Sequence, residues 1–84
     1  MRRPTLYIWY IESLTGASYD EARAFVVIAR TEENARNICS DHAGDEIDTC
    51  ADYWTNFKYS SCKKIGVSWE KKGERLVVRD FHEG

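Results

Sequence analysis

Proline is nearly absent from these 84 residues, with Pro4 its single occurrence, and no repeat or low-complexity tract is present. No proline therefore interrupts the segments that follow it. Long hydrophobic runs are missing too. The apolar-rich stretch Thr5–Ile11 has seven residues, against the ~20 that a membrane helix needs. Met1-Arg2-Arg3-Pro4 leads straight into it without the pattern of a secretory signal. The expectation is a cytoplasmic protein with no membrane contact. A basic excess is also lacking. The net charge of −2 argues against a general nucleic-acid binder, whose affinity comes mostly from phosphate contacts, and it is too small for an acidic DNA mimic. Cysteine is scarce and odd in number, at Cys39, Cys50 and Cys62, which suits reduced thiols packed as small hydrophobes.

Patterns that carry chemistry are equally thin. No glycine-rich phosphate loop, G-x-S-x-G or H-E-x-x-H occurs. Cys39 and His42 stand one helical turn apart, but structural zinc sites pair close ligands at both ends, and only this close pair exists here. As a Cys–His dyad the two would be buried on the packing face of a helix. Asp41, Asp45, Glu46, Asp48 and Asp52 read as a solvated acidic stretch rather than as two carboxyls in contrasting environments. No enzymatic activity, metal or cofactor is expected.

What is present is a globular pattern. Thr5–Ile11 and Arg23–Ala29 are β-branched and aromatic and read as strands. The Ser13–Asp20 loop contains Thr15-Gly16 and is too short for a crossover helix, so the two strands pair antiparallel. Thr31 is placed to N-cap a helix, with Glu32 and Glu33 where the helix dipole favours negative charge. Ala35, Ile38, Cys39 and His42 then share one face, and Gly44 is placed for a left-handed C-terminal cap. Beyond it, Cys50, Tyr53, Trp54 and Phe57 repeat the same spacing, which predicts a short second helix that Asp48 could cap. Ile65–Trp69 and Glu74–Phe81 read as a closing hairpin turned at Lys72-Gly73. The predicted fold is α+β, a small antiparallel sheet in the order ββ-α-(α)-ββ with one main helix on one face.

The first strand is apolar on both faces, Leu6, Ile8 and Tyr10 against Tyr7, Trp9 and Ile11. The second repeats this, with Ala24, Val26 and Ile28 against Phe25, Val27 and Ala29. A sheet with one wet face should alternate. A helix over 32–43 is roughly 18 Å long at 1.5 Å per residue and covers one side only. The aromatic 45–62 segment, a second copy of the chain or a different protein must close the other side. The second is the expectation, with Tyr7, Trp9, Phe25 and Val27 at a homo-oligomer interface.

Tyr53–Lys64 holds four aromatics and three lysines and no acid. Aromatic faces stack on nucleobases, and lysines and hydroxyls hold phosphate. Trp54, Phe57, Ser60, Ser61 and Lys63 are therefore candidates for a small-nucleotide pocket, with Tyr19 and Arg23 as weaker members. The competing reading puts Trp54 and Phe57 in the core.

Tyr19-Asp20-Glu21, Phe25-Val26-Val27, Thr31–Arg36 and His42–Glu46 form a series of short motifs. With Trp54, Ser61–Gly66 and Val77–Gly84, the series resembles a group of small proteins encoded by tailed bacteriophages and prophages. The resemblance spans nearly the whole chain and implies a setting rather than an activity. Proteins of that setting counter host defence, some as stoichiometric inhibitors of a defence protein such as a nuclease or CRISPR complex. Others act as oligomeric sponges for a nucleotide immune signal. By analogy, the resemblance implies a non-enzymatic, self-associating binder of one of these two kinds, with sequestration of a nucleotide signal as the leading expectation.

Overall fold

A computed structural model of the chain describes residues 5–14, 21–44, 51–69 and 72–82. Tyr19, Asp48 and Cys50 lie outside them. Four strands and one helix follow in the order β1 (Leu6–Ser13), β2 (Glu21–Ala29), α1 (Glu32–Asp41), β3 (Ser60–Ser68) and β4 (Arg75–His82). The fold is a small α+β domain, a four-stranded antiparallel sheet with one helix packed against it.

The strands lie in the spatial order β3-β1-β2-β4. β1 and β2 form the expected antiparallel pair, with Tyr7 opposite Ala29, Trp9 opposite Val27 and Ile11 opposite Phe25. The expected closing hairpin does not form. β3 pairs with β1 and β4 with β2, so the two later strands are the opposite edges of the sheet. β1 and β2 are the more apolar strands and take the centre of the sheet, where strands are most shielded from water. β3 and β4 carry Lys63, Lys64, Arg75 and Arg79, which suit solvent-facing edges. Each edge strand has one irregularity against its central neighbour, leaving Ile65 and Val77 as extra residues, and Arg23 is the extra residue on β2.

Helix α1 begins as expected. Thr31 is extended at φ −136°, and its hydroxyl accepts from the Asn34 amide at 3.1 Å. Its end differs. The C-cap is His42, at φ −112°, whose amide donates to the Cys39 carbonyl at 3.1 Å. The helix thus closes before Gly44, and His42 is exposed rather than on the packing face. The buried stripe is Ala35, Arg36 and Cys39 with Ile38 beside it, so the packing face is rotated towards Arg36.

No second helix forms over the described residues 51–59. The segment makes successive turns instead. Thr55 donates to the Asp52 carbonyl at 3.1 Å, Tyr59 to the Asn56 carbonyl at 3.0 Å, and Asn56 Oδ1 accepts from the Lys58 amide at 2.9 Å. The Asn56 side chain competes for a backbone amide in this way and also donates its Nδ2 to the Asp52 carboxylate at 3.0 Å, which disfavours a helix interior.

One continuous core results. Trp9, Ile11, Phe25, Val27 and Ala29 from the sheet meet Ala35 and Cys39 of α1 and Tyr53 and Trp54 of the turn segment. The Trp9 indole donates to the Ala29 carbonyl at 3.0 Å, so its polar edge is satisfied. Trp54 meets Phe25 edge-on, with ring centroids 4.8 Å apart. The aromatic segment therefore joins the helix on one face of the sheet. The covered face carries Tyr7, Trp9, Phe25 and Val27, so these four are not the open side. The assignment to an oligomer interface is reversed, because the face with the larger aromatic side chains is the one that α1 and Trp54 bury. The outer face belongs to Leu6, Ile8, Tyr10 and Val26, all half-buried, with Ala24 and Ile28 between them.

Candidate functional site

The expected nucleotide pocket does not gather on one surface. Trp54 is fully buried in the core and cannot stack on a ligand. Ser60 is fully buried as well. Its hydroxyl accepts from Arg36 Nη1 at 2.8 Å and its carbonyl from Arg36 Nη2 at 3.2 Å. Phe57 is 75% exposed on the helix side. Ser61 lies opposite Glu12 and Lys63 opposite Tyr10, on the outer face. Arg23 forms an ion pair with Asp80 at 3.1 Å, both side chains half-exposed. Of the described candidates, then, Trp54, Phe57 and Ser60 sit on the helix side, while Ser61 and Lys63 share the outer face with the Arg23–Asp80 pair. The alternation of β3 separates them, because adjacent strand residues point to opposite faces.

The cavity on the helix side is an open groove of about 430 Å³ lined by Glu32, Glu33, Arg36, Asn37, Thr55 and Phe57. Two carboxylates stand at its wall. Its one guanidinium is turned inward and is fully engaged. Arg36 Nε donates to Glu32 at 2.8 Å, and Nη1 donates to the Trp54 carbonyl at 3.1 Å as well as to Ser60. A groove so charged repels phosphate.

Arg36 was missed as a structural residue. It holds three elements together, α1 through its own backbone, the turn segment through Trp54, and β3 through Ser60. The available signal was its position beside Ala35 with Glu32 one turn earlier, which is the spacing of a helical ion pair.

The thiols are packing groups with shifted acidity. Burial pushes the Cys62 thiol up to about 11 from an ordinary 9.0, with the Glu32 charge adding to it. Burial pushes Cys39 higher still. The Tyr10 phenol is raised by its hydrogen bond to Glu12, at 2.9 Å, and further by burial and the nearby carboxylates. Among the described residues, no group of three His, Cys, Asp or Glu side chains could hold a metal ion.

The remaining surface of note is the β3 edge. Ile65 is 53% exposed, Val67 42% and Trp69 92%. Ile65 is the extra residue of the β3 irregularity, Val67 pairs opposite Tyr7, and Trp69 follows directly after the end of the strand at Ser68. Lys64 lies beside them with its ammonium over the Tyr7 ring, 4.1 Å from the centroid. In class this is a small α+β domain with a covered inner face, an apolar outer face and an apolar edge. No family model matches the chain, and neither does any curated protein or solved structure.

Proposed function

We propose that this chain is a non-enzymatic binding protein of bacteriophage type, acting as a stoichiometric protein–protein inhibitor of a bacterial host defence complex. The observation that carries this reading is the exposed apolar group Ile65, Val67 and Trp69, on edge strand β3 and directly past its end. An edge strand offers unpaired backbone groups for strand addition, with alternate side chains available to fill pockets. Tryptophan is among the side chains that anchor such contacts. The acidic groove and the divided candidate residues make a small-anion pocket within one chain the weaker reading.

The test is protection of phage plating in cells carrying a restriction or CRISPR system, together with co-elution of the purified chain and the purified complex. The wild type should protect and co-elute, and a Val67→Lys/Trp69→Ser variant should lose both while keeping its helix signal. Equal protection by that variant refutes the reading.

The second reading, a homo-oligomeric sponge for a small nucleotide signal, is favoured by Ser61 and Lys63 sharing the outer face with the Arg23–Asp80 pair. It expects thermal stabilisation by a member of a cyclic-nucleotide panel, lost in Lys63→Glu. No shift with any member removes it.

A further inference from the structure

The outer face of the sheet has a size and charge pattern that repeats under one particular rotation. The strand register sorts it into rows running from β3 to β4. The first row is Gly66, Ile8, Ile28 and Arg75. The second is Lys63, Tyr10, Val26 and Val78. The third is Ser61, Glu12, Ala24 and Asp80. Gly66 is on this face beneath Ile8, since a Cβ built on it would lie 3.5 Å from the Ile8 Cδ1.

We infer that this face is covered by a second copy of the chain, about a twofold axis that runs parallel to the strands between β1 and β2. That rotation keeps each row in place and reverses its order. Arg75 then lies over the partner's Gly66, Tyr10 over the partner's Val26, and Glu12 over the partner's Ala24. Asp80 lies over the partner's Ser61. In each of these contacts a larger side chain meets a smaller one, as interdigitating sheet faces about 10 Å apart require. In the first row the half-buried Ile8 lies over the partner's Ile28, which is already buried within its own chain.

Charges agree with the same rotation. Lys63 stands diagonal to the partner's Asp80, and Glu12 stands beside the partner's Arg23. The Asp80 carboxylate already pairs with Arg23 of its own chain but is half-exposed, so it can take a second cation. The alternative twofold, across the strands, sets Lys63 on the partner's Lys63 and Glu12 on the partner's Ile8. It also sets Asp80 on the partner's Arg75, but its two lysines meet on the axis row and its Glu12 carboxylate is pressed onto an isoleucine. An isologous interface of this kind is closed, so assembly stops at two copies, and both β3 edges stay at the outside of the pair.

This inference does not rest on the inhibitor reading, which uses the β3 edge. Native mass spectrometry and sedimentation at micromolar concentration should find a dimer of the wild type. Lys63→Glu and Asp80→Lys should each weaken it about tenfold or more, as opposed rim charges do. Mixed one to one, the two variants should recover the wild-type association as a heterodimer, because that pairing restores an opposite-charge contact at both ends. Helix signals unchanged by either substitution show that the fold is intact. A monomeric wild type, or a mixture no tighter than either variant alone, overturns the proposal. A monomer that still needs Trp69 for its defence partner overturns the dimer and leaves the inhibitor reading standing.

Discussion

Replacing Arg36 with alanine should cost a large share of this chain's stability. The side chain is 7% exposed and donates to Glu32, to the Trp54 carbonyl, and to both the hydroxyl and the carbonyl of Ser60. Glu32 is 51% exposed, so water replaces most of that pair, and it is worth under about 1 kcal/mol. The other three bonds are buried. Hydrogen bonds from a charged donor are worth roughly 1.5–3 kcal/mol each, and the loss is largest where buried acceptors stay behind unpaired. The Ser60 hydroxyl already donates to the Trp54 carbonyl at 3.4 Å, so that acceptor is not left wholly unpaired. Shared orphan costs are not additive, so the net loss is about 3–4 kcal/mol. A chain of this size has roughly 4–12 kcal/mol in all. The midpoint of thermal unfolding should therefore fall by about 15–25 °C. Urea unfolding followed by helix dichroism and tryptophan fluorescence measures it. Lys at the same position keeps the charge but not the fork, and should lie between the two. A loss under about 1 kcal/mol for Arg36→Ala refutes the claim that this guanidinium ties α1 to the turn segment and β3.

Thr31→Ala removes the hydroxyl that caps α1 and should lower stability by about 1 kcal/mol in urea titrations, with Thr31→Ser close to the wild type. Stability should also fall as pH rises from about 9 to 11. The unfolded chain gives up the Cys62 proton near its ordinary 9.0 whereas the folded chain holds it to about 11, so unfolding releases protons in that window. Cys62→Ser should make the decline shallower without abolishing it, because Cys39, which burial raises further, contributes in the same window, and urea midpoints at pH 8 and above pH 10 compare the two. Under native conditions at neutral pH, alkylation followed by mass spectrometry should leave Cys39 unmodified, since it is fully buried and held as the thiol. Trp69→Ser should leave stability within about 0.5 kcal/mol, as expected for a side chain 92% exposed, and change only partner binding.

The parts legible in the sequence were those with local causes. Thr31, Glu32 and Glu33 mark a helix start through contacts spanning a few residues, and the β-branched runs of β1 and β2 mark strands. The closing hairpin was misread because Lys72-Gly73 is a local turn signal, while strand pairing is decided by what the central strands need. The same observation that suggested a partner, apolar residues on both faces of β1 and β2, is also the mark of strands in the middle of a sheet. Read that way it places β3 and β4 on the outside. Which apolar face is covered was beyond local reasoning, because it depends on Trp54 arriving from 45 residues beyond Trp9. The candidate pocket failed for a related reason. Ser60, Ser61 and Lys63 are close in sequence, but a strand sends alternate residues to opposite faces.

The strand order β3-β1-β2-β4 also bears on how the chain comes to be made. The central strands and the helix are synthesised first, and both edges come from residues 60–82. Until those residues leave the ribosome, the β1–β2 pair has two bare edges and an open face. Such edges recruit any passing strand, and growing chains with exposed apolar surface aggregate readily. A rapid supply of nascent copies side by side therefore favours mispairing, and the arginines of β4 do more than solubilise the finished sheet. Arg75 and Arg79 also make β4 a poorer template for a further strand, so the edge left for a partner is that of β3.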